Sequence, residues 1–340
     1  MSDLRLIKLT EISAIGTLSA DLLKNIYTPE ELNGKNDGNF NPEYLLFVLF
    51  VNRAELPLGR LAIYENPFIR VATNNALILG NFECIADREV ADLLFKEAER
   101  FAKENAYSSL IGPINGSTWD NYRIPLESEY PRFFTEEIFK NYYSKLFEEF
   151  NFEILTEYYS GIIYNLNDIG NNSIQPRETF TNSSGLKIRS ISKENFVEDI
   201  EMIYHFCMDA FSKNYLFSPI SKFYFVEKYL PLKQYIDPDY CLMVFDRDNN
   251  LVSFFFCLPD ILNSGSSTLI VKTIAGKSGR NYAGVSSWLF RMIVEKAIQN
   301  GYTQIINAFM HKNNVSLNIS RKYKSEVIRT YRLYVKKLQY

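Results

Sequence analysis

The chain has 340 residues, with 37 Lys and Arg against 40 Asp and Glu, a formal charge of −3 and a pI of about 5.7. With 46% hydrophobic and 23% charged residues it has globular composition, which excludes disorder or collagen-like repeats as its main content. No basic domain is present to bind a phosphate backbone, so nucleic acid is not an expected partner, and the 26 Phe and 23 Tyr read as core and strand filling.

The first residues lack an apolar signal core. A short strand is expected at residues 4–9, then helical stretches, then strands at 44–52, 57–65 and 75–82. An amphipathic helix follows at 89–104, with Val90, Leu93, Leu94, Ala98 and Phe101 on one face. A strand at 109–114 comes next. The helix predicted at 136–149 has a charge mixture that reads as a solvated face. A strand at 158–164 closes the half. Residues 165–185 are dense in Asn, Ser, Thr and Gly and read as a linker.

The order then repeats. Strands are expected at 186–191, 241–246, 251–258 and 268–275, a long helix at 286–300, a strand at 304–310, a helix at 315–323 and a closing strand at 327–336. This predicts an internal duplication of the α+β class, with domains at 1–166 and 186–340, a linker at 167–185, and a mixed, mostly antiparallel sheet flanked by helices in each. The strongly apolar runs at 44–51 and 251–258 are too short to span a bilayer as helices, so no membrane partner is expected. Cys84, Cys207, Cys241 and Cys257 have no C-x-x-C spacing and only His205 and His311 accompany them, so no metal site is expected and a cytoplasmic setting is.

The most informative stretch is 269–302. A buried strand runs into a polar loop holding Gly276, Gly279 and Gly284, and the loop opens a helix with Ser286 and Ser287 in its first turn. Such a start offers unpaired N–H groups and the positive end of a helix dipole, and glycine permits close approach of a ligand. Lys277 and Arg280 add positive charge. The pattern fits a pyrophosphate cradle, and it also fits an ordinary strand-to-helix turn. It matches neither the P-loop nor G-x-G-x-x-G, so nucleotide hydrolysis and dinucleotide redox chemistry are not indicated.

With its flanking elements, this half resembles the GNAT N-acyltransferase superfamily. The signature loop Gln/Arg-x-x-Gly-x-Gly/Ala is matched by Asn281-Tyr282-Ala283-Gly284-Val285-Ser286, with Asn281 in place of Gln/Arg and Ser286 in place of Gly/Ala. The run from Ser286 to Gly301 has the usual helix length, and Asn313-Asn314 with the helix up to Tyr323 resembles the family's Asn-x-x-Ala…Tyr segment. The resemblance implies two tandem GNAT-like acyl-CoA N-acyltransferase folds and transfer of an acyl group from acyl-CoA, acetyl-CoA being the expected donor, to an amine of a small molecule or peptide. It implies backbone alignment of pantetheine near Ile274 and Gly276. Phosphate contacts would come from Asn281, Tyr282, Ala283, Gly284, Val285, Ser286 and Ser287, and Asn313 would lie beside the CoA arm. The leaving-group acid falls on Ser320 in strict register, with Tyr323 three residues later. His311, at the end of the strand lining the acyl site, is a candidate for proton transfer, or simply a hydrogen-bonded strand-end histidine.

The first half resembles a degenerate copy. Its loop at 85–90 has no glycine and carries Asp87 and Glu89, so one CoA per chain is expected. The segments 110–119, 141–152 and 310–334 are similar to those of tandem GNAT-like bacterial proteins. Trp119 and Tyr122 either wall a pocket between the halves or pack their interface. Two rival readings are an aminoacyl-tRNA-dependent transferase on the same fold and a non-catalytic CoA-binding protein.

Overall fold

The computed structural model describes residues 3–35, 40–167, 185–263, 265, 267–314 and 316–339. The first half runs β1 (Leu4–Leu9), α1 (Ile12–Ile26), α2 (Pro29–Gly34), β2 (Leu45–Arg53), β3 (Leu56–Tyr64), β4 (Arg70–Val71), β5 (Asn74–Cys84), α3 (Arg88–Glu104), β6 (Ser109–Gly112), β7 (Ile124–Pro125), α4 (Tyr142–Glu149) and β8 (Glu153–Ile163). The second runs β9 (Lys187–Ser190), α5 (Phe196–Ala210), α6 (Lys222–Tyr229), β10 (Cys241–Phe245), β11 (Leu251–Pro259), β12 (Thr268–Gly276), α7 (Val285–Gln299), β13 (Gln304–His311), α8 (Ser316–Lys322) and β14 (Glu326–Lys337). Nearly all of the predicted linker lies outside the described residues.

The apolar runs become strands covered on both faces. In β2 and β3, Leu49, Val51, Leu61 and Ile63 pack under α3, while Val48, Phe50, Ala62 and Tyr64 pack under α1. That two-faced burial is why residues 44–52 read as one continuous apolar run. Helix α3 buries Val90, Ala91, Leu94, Phe95, Ala98 and Ala102, and α7 buries Val285, Leu289, Phe290, Ile293, Val294 and Ala297, each a stripe of helical period. In the second half, Phe255 and Cys257 face α7 while Phe254, Phe256 and Leu258 face α5.

Both halves share one sheet, in the order β1-β2-β3-β5-β6-β14-β8-β13-β12-β11-β10-β9. Its pairs are antiparallel except β5 with β6 and β12 with β13. The closing strands are exchanged. β14, from the end of the chain, lies between β6 and β8, and β8, from the first half, lies between β14 and β13.

The helix expected at 136–149 is shorter, Tyr142–Glu149. Glu136 does not lie on a solvated face. It is 4% exposed and accepts from Arg329 Nε (3.1 Å) and the Tyr331 hydroxyl (2.5 Å) of β14. A buried carboxylate must be paired, and these partners draw the segment away from helical geometry and into the junction.

Candidate functional site

The site begins where two parallel strands part. β12 and β13 pair only from Thr268–Gln304 to Val271–Asn307. Beyond that, β12 stays with β11 as far as Gly276, and β13 stays with β8 through Met310 and His311. The break is a bulge: the β13 register shifts between Asn307 and Met310, and Phe309 takes φ +59°. Its amide donates to Ser160 Oγ at 3.1 Å. The wedge opens into a cavity of about 1360 Å³ lined by residues of both halves. At the fork, Asn307 Nδ2 donates to Ser320 Oγ (3.2 Å), and Asn307 Oδ1 is buried without a partner.

The loop after β12 leads to the start of α7. Gly284 precedes the helix at φ +93°, a conformation that favours glycine, and no side chain caps the helix. The Trp288 amide bonds back to Gly284 O at 2.9 Å, so the amides before it belong to the open first turn. Val285 anchors that turn in the core, and Ser286 and Ser287 are half-buried. A Cβ on Gly276 would run into Ser286 Oγ, so the glycine lets the helix start close onto β12. Asn281 and Ala283 are exposed, and the Tyr282 hydroxyl donates to Asp246 Oδ2 at 3.2 Å, holding the loop from outside. Ile274 lies half-buried on the cavity wall.

The first half has the same strands with the wedge shut. β5 and β6 pair from Ala76–Ser109 to Ile78–Ile111. The Ile114 amide then donates to Leu79 O, and Asn115 Oδ1 accepts from the Asn81 amide, each at 2.7 Å. A Cβ on Gly80 would clash with the Ile114 carbonyl oxygen, so the chain lies flat where Lys272 stands in the register of the second half. Asp87 Oδ1 caps α3 by accepting from the Glu89 amide at 2.9 Å.

Not all of the predicted catalytic residues meet. His311 and Asn313 line the cavity. The Asn313 amide donates to His311 Nδ1 (3.3 Å), so the ring proton sits on Nε2, facing Thr156 Oγ1 at 2.9 Å. Burial, and then Lys312 and Arg123, hold the imidazole pKa below its usual value and keep it neutral. Ser320 is buried behind the wall, and Tyr323 packs edge-on to Phe290 of α7 with ring centroids 4.8 Å apart. Neither lines the cavity.

Two cavity residues were not singled out by sequence. Lys272 is the first β12 residue past the last β13 pair, and burial, then Lys228 and Arg123, lower its pKa to about 8. Its signal was available, as the lone charge in an otherwise apolar or neutral strand. Arg123 follows Tyr122 with φ +72° and no motif marks it. Trp119 and Tyr122 do line the cavity, and the Trp119 indole donates to Ser218 O at 2.8 Å. Among the described residues no His/Cys/Asp/Glu group could hold a metal, and no helix is long and apolar enough to cross a membrane.

No family model and no curated protein matches this sequence. Solved structures do match in fold. A probable N-acyltransferase from Enterococcus faecalis V583 superposes with TM-score 0.57 at 7% identity, over 98% of this chain and 72% of that one. A GCN5-related N-acetyltransferase from Sphaerobacter thermophilus gives 0.51 at 10% identity, over 99% and 96%. A tandem GNAT protein from the clavulanic acid biosynthesis pathway gives 0.51 at 8% identity, over 98% of each. The chain therefore has the tandem GNAT fold.

Proposed function

We propose that this chain is an acyl-CoA-dependent N-acyltransferase with one CoA site, in the half comprising residues 186–340, and an acceptor cavity shared with residues 1–166. The observation that carries the reading is the wedge between β12 and β13: β12 lines the cavity as far as Ile274 and runs on to the loop before the uncapped start of α7, whose residues lie outside the cavity lining. The residues fit the cosubstrate: Asn307 Oδ1 lacks a partner at the fork, and Gly276, where a Cβ would run into Ser286 Oγ, lets the uncapped start of α7 lie close onto β12. Bound there, acyl-CoA would supply a thioester carbon; the amine nitrogen bonds to that carbon, the carbon–sulfur bond breaks, and the proton leaving nitrogen balances the one taken up by sulfur.

The chain's part in this is largely positioning. The β12 backbone at Ile274 and Gly276 aligns the pantetheine, Asn313 lies beside it, and the residues from Asn281 to Ser287 receive the phosphates. His311, neutral and fixed by Thr156 and Asn313, orients the acceptor or passes its proton to water. Ser320 and Tyr323 are the two candidates for protonating the thiolate; burial raises the Tyr323 pKa, so its phenol keeps its proton at neutral pH. Four free, buried thiols support a cytoplasmic setting.

The test follows free thiol released from acetyl-CoA over a panel of amines. Amine-dependent release that is lost in Gly284→Asp supports the reading. CoA binding with no release for any amine would favour a non-catalytic binding protein, and transfer from charged tRNA alone would favour the aminoacyl rival.

A further inference from the structure

We infer that the cavity between the halves takes an acceptor bearing a carboxylate, gripped by Arg123 and Lys272. The inference rests on the acyl-transfer reading only in calling that molecule the acceptor.

Arg123 is held in an aromatic box. Its guanidinium carbon lies 4.0 Å from the Tyr122 ring centroid, 4.7 Å from Tyr158, 4.6 Å from Phe309 and 5.5 Å from Tyr331. Ring faces attract the cation and fix its plane, but they accept none of its in-plane hydrogen bonds. Arg123 Nη1 is buried with no hydrogen-bond partner. The residue also keeps φ +72°, an uncommon conformation for a non-glycine side chain.

Of the four carboxylates that line the cavity, three are engaged by other groups, and the fourth, Glu227, is exposed and forms no salt bridge with either cation. Asp120 accepts from Asn41, Ser117, Tyr224 and Lys228 at 2.7–2.9 Å. Glu136 is taken by Arg329 and Tyr331, and Glu137 by Lys35 and Asn121. No salt bridge among the described residues includes Arg123 or Lys272; Lys272 has only the Tyr229 ring, 5.3 Å from its ammonium. Two cations facing a partly desolvated aromatic space without an anion are costly, and the lowered Lys272 pKa is one expression of that cost. An anion entering the cavity would relieve it.

The position suits acyl transfer. Phe309, one wall of the box, is the bulge residue that opens the wedge, and Lys272 stands on the opposite rim. A carboxylate held between them leaves an amine one or a few carbons away at the mouth of the wedge. The planar guanidinium edge matches a carboxylate in shape and charge. A phosphate would call for a richer set of donors.

The test is binding to the full chain without CoA, by saturation-transfer NMR. The probes are a set of L-α-amino acids, the matching α-amides, and O-phosphoethanolamine. At least one acid should bind about tenfold more tightly than its amide. That preference should fall below about threefold in Arg123→Leu and in Lys272→Met, the second serving if the first does not fold. The inference is overturned by equal binding of acids and amides, by no acid binding up to about 10 mM, by preference for the phosphate probe, or by a preference that survives in the folded variants. Calorimetry with acetyl-CoA is run alongside. Failure there would end the acyl-transfer reading and leave the carboxylate result standing.

Discussion

At the residue scale, Lys272 and Gly284 give the sharpest expectations. Lys272 has a pKa of about 8 in the fold against an ordinary 10.5. Between those values the unfolded chain holds more protons than the folded one, so this residue makes stability rise with pH from 8 to 10.5. Below pH 8 its full cost is present. Lys272→Met should therefore be more stable than the natural chain at pH 7, by about 1–2 kcal/mol after allowance for partial exposure. The difference should shrink towards zero by pH 10.5. Urea unfolding of both proteins across that range checks this; a variant destabilised at pH 7 would show that the ammonium has a stabilising partner. Gly284→Asp should weaken acetyl-CoA binding more than tenfold relative to Gly284→Asn, about 1.4 kcal/mol. Asn and Asp share a shape and both enter the left-handed region more readily than other non-glycine residues, so the pair isolates the charge. An aspartate there favours the helix itself, so lost affinity would not reflect a melted α7. For the leaving group, Ser320→Ala or Tyr323→Phe should lower kcat with little change in CoA affinity. Equal turnover in both variants assigns that proton to water.

At the element scale, the wedge decides which half can work. Asn115 and Ile114 stitch the first-half strands where those of the second half part, and Asp87 caps one first-turn amide of α3, whereas α7 has no side-chain cap. Strand and helix order, the α3 and α7 stripes and the Gly276–Ser287 loop were all readable, because burial on one face or two imprints a period on sequence. The exchange of β8 and β14 was not, because both strands are apolar enough to join either half and register between distant segments leaves no local trace. Glu136 was misread for a related reason: its partners Arg329 and Tyr331 lie almost 200 residues away. Arg123 became notable only through rings gathered from four segments. The exchange carries its own prediction. Truncation after Ser325 removes the strand between β6 and β8, so it should destabilise both halves together. Limited proteolysis should then cut within residues 1–166 as readily as within 186–325. A protected first half would contradict the shared sheet.

At the scale of the whole molecule, the duplicated fold supplies one slot and one shared cavity. The intact wedge, the open helix start and the glycines belong to the second half, while Arg123, Tyr122 and Trp119 reach the cavity from the first. The two halves should accordingly fail apart: residues 1–167 and 185–340 expressed separately each lack a central strand, and expressed together they should associate one to one. The most direct measurement is a calorimetric titration of the full chain with acetyl-CoA. The account predicts a single site, weakened more than tenfold by Gly284→Asp and unchanged by Asp87→Asn in the capped first-half loop. Two equivalent sites, no binding, or loss of binding on changing Asp87 would contradict it.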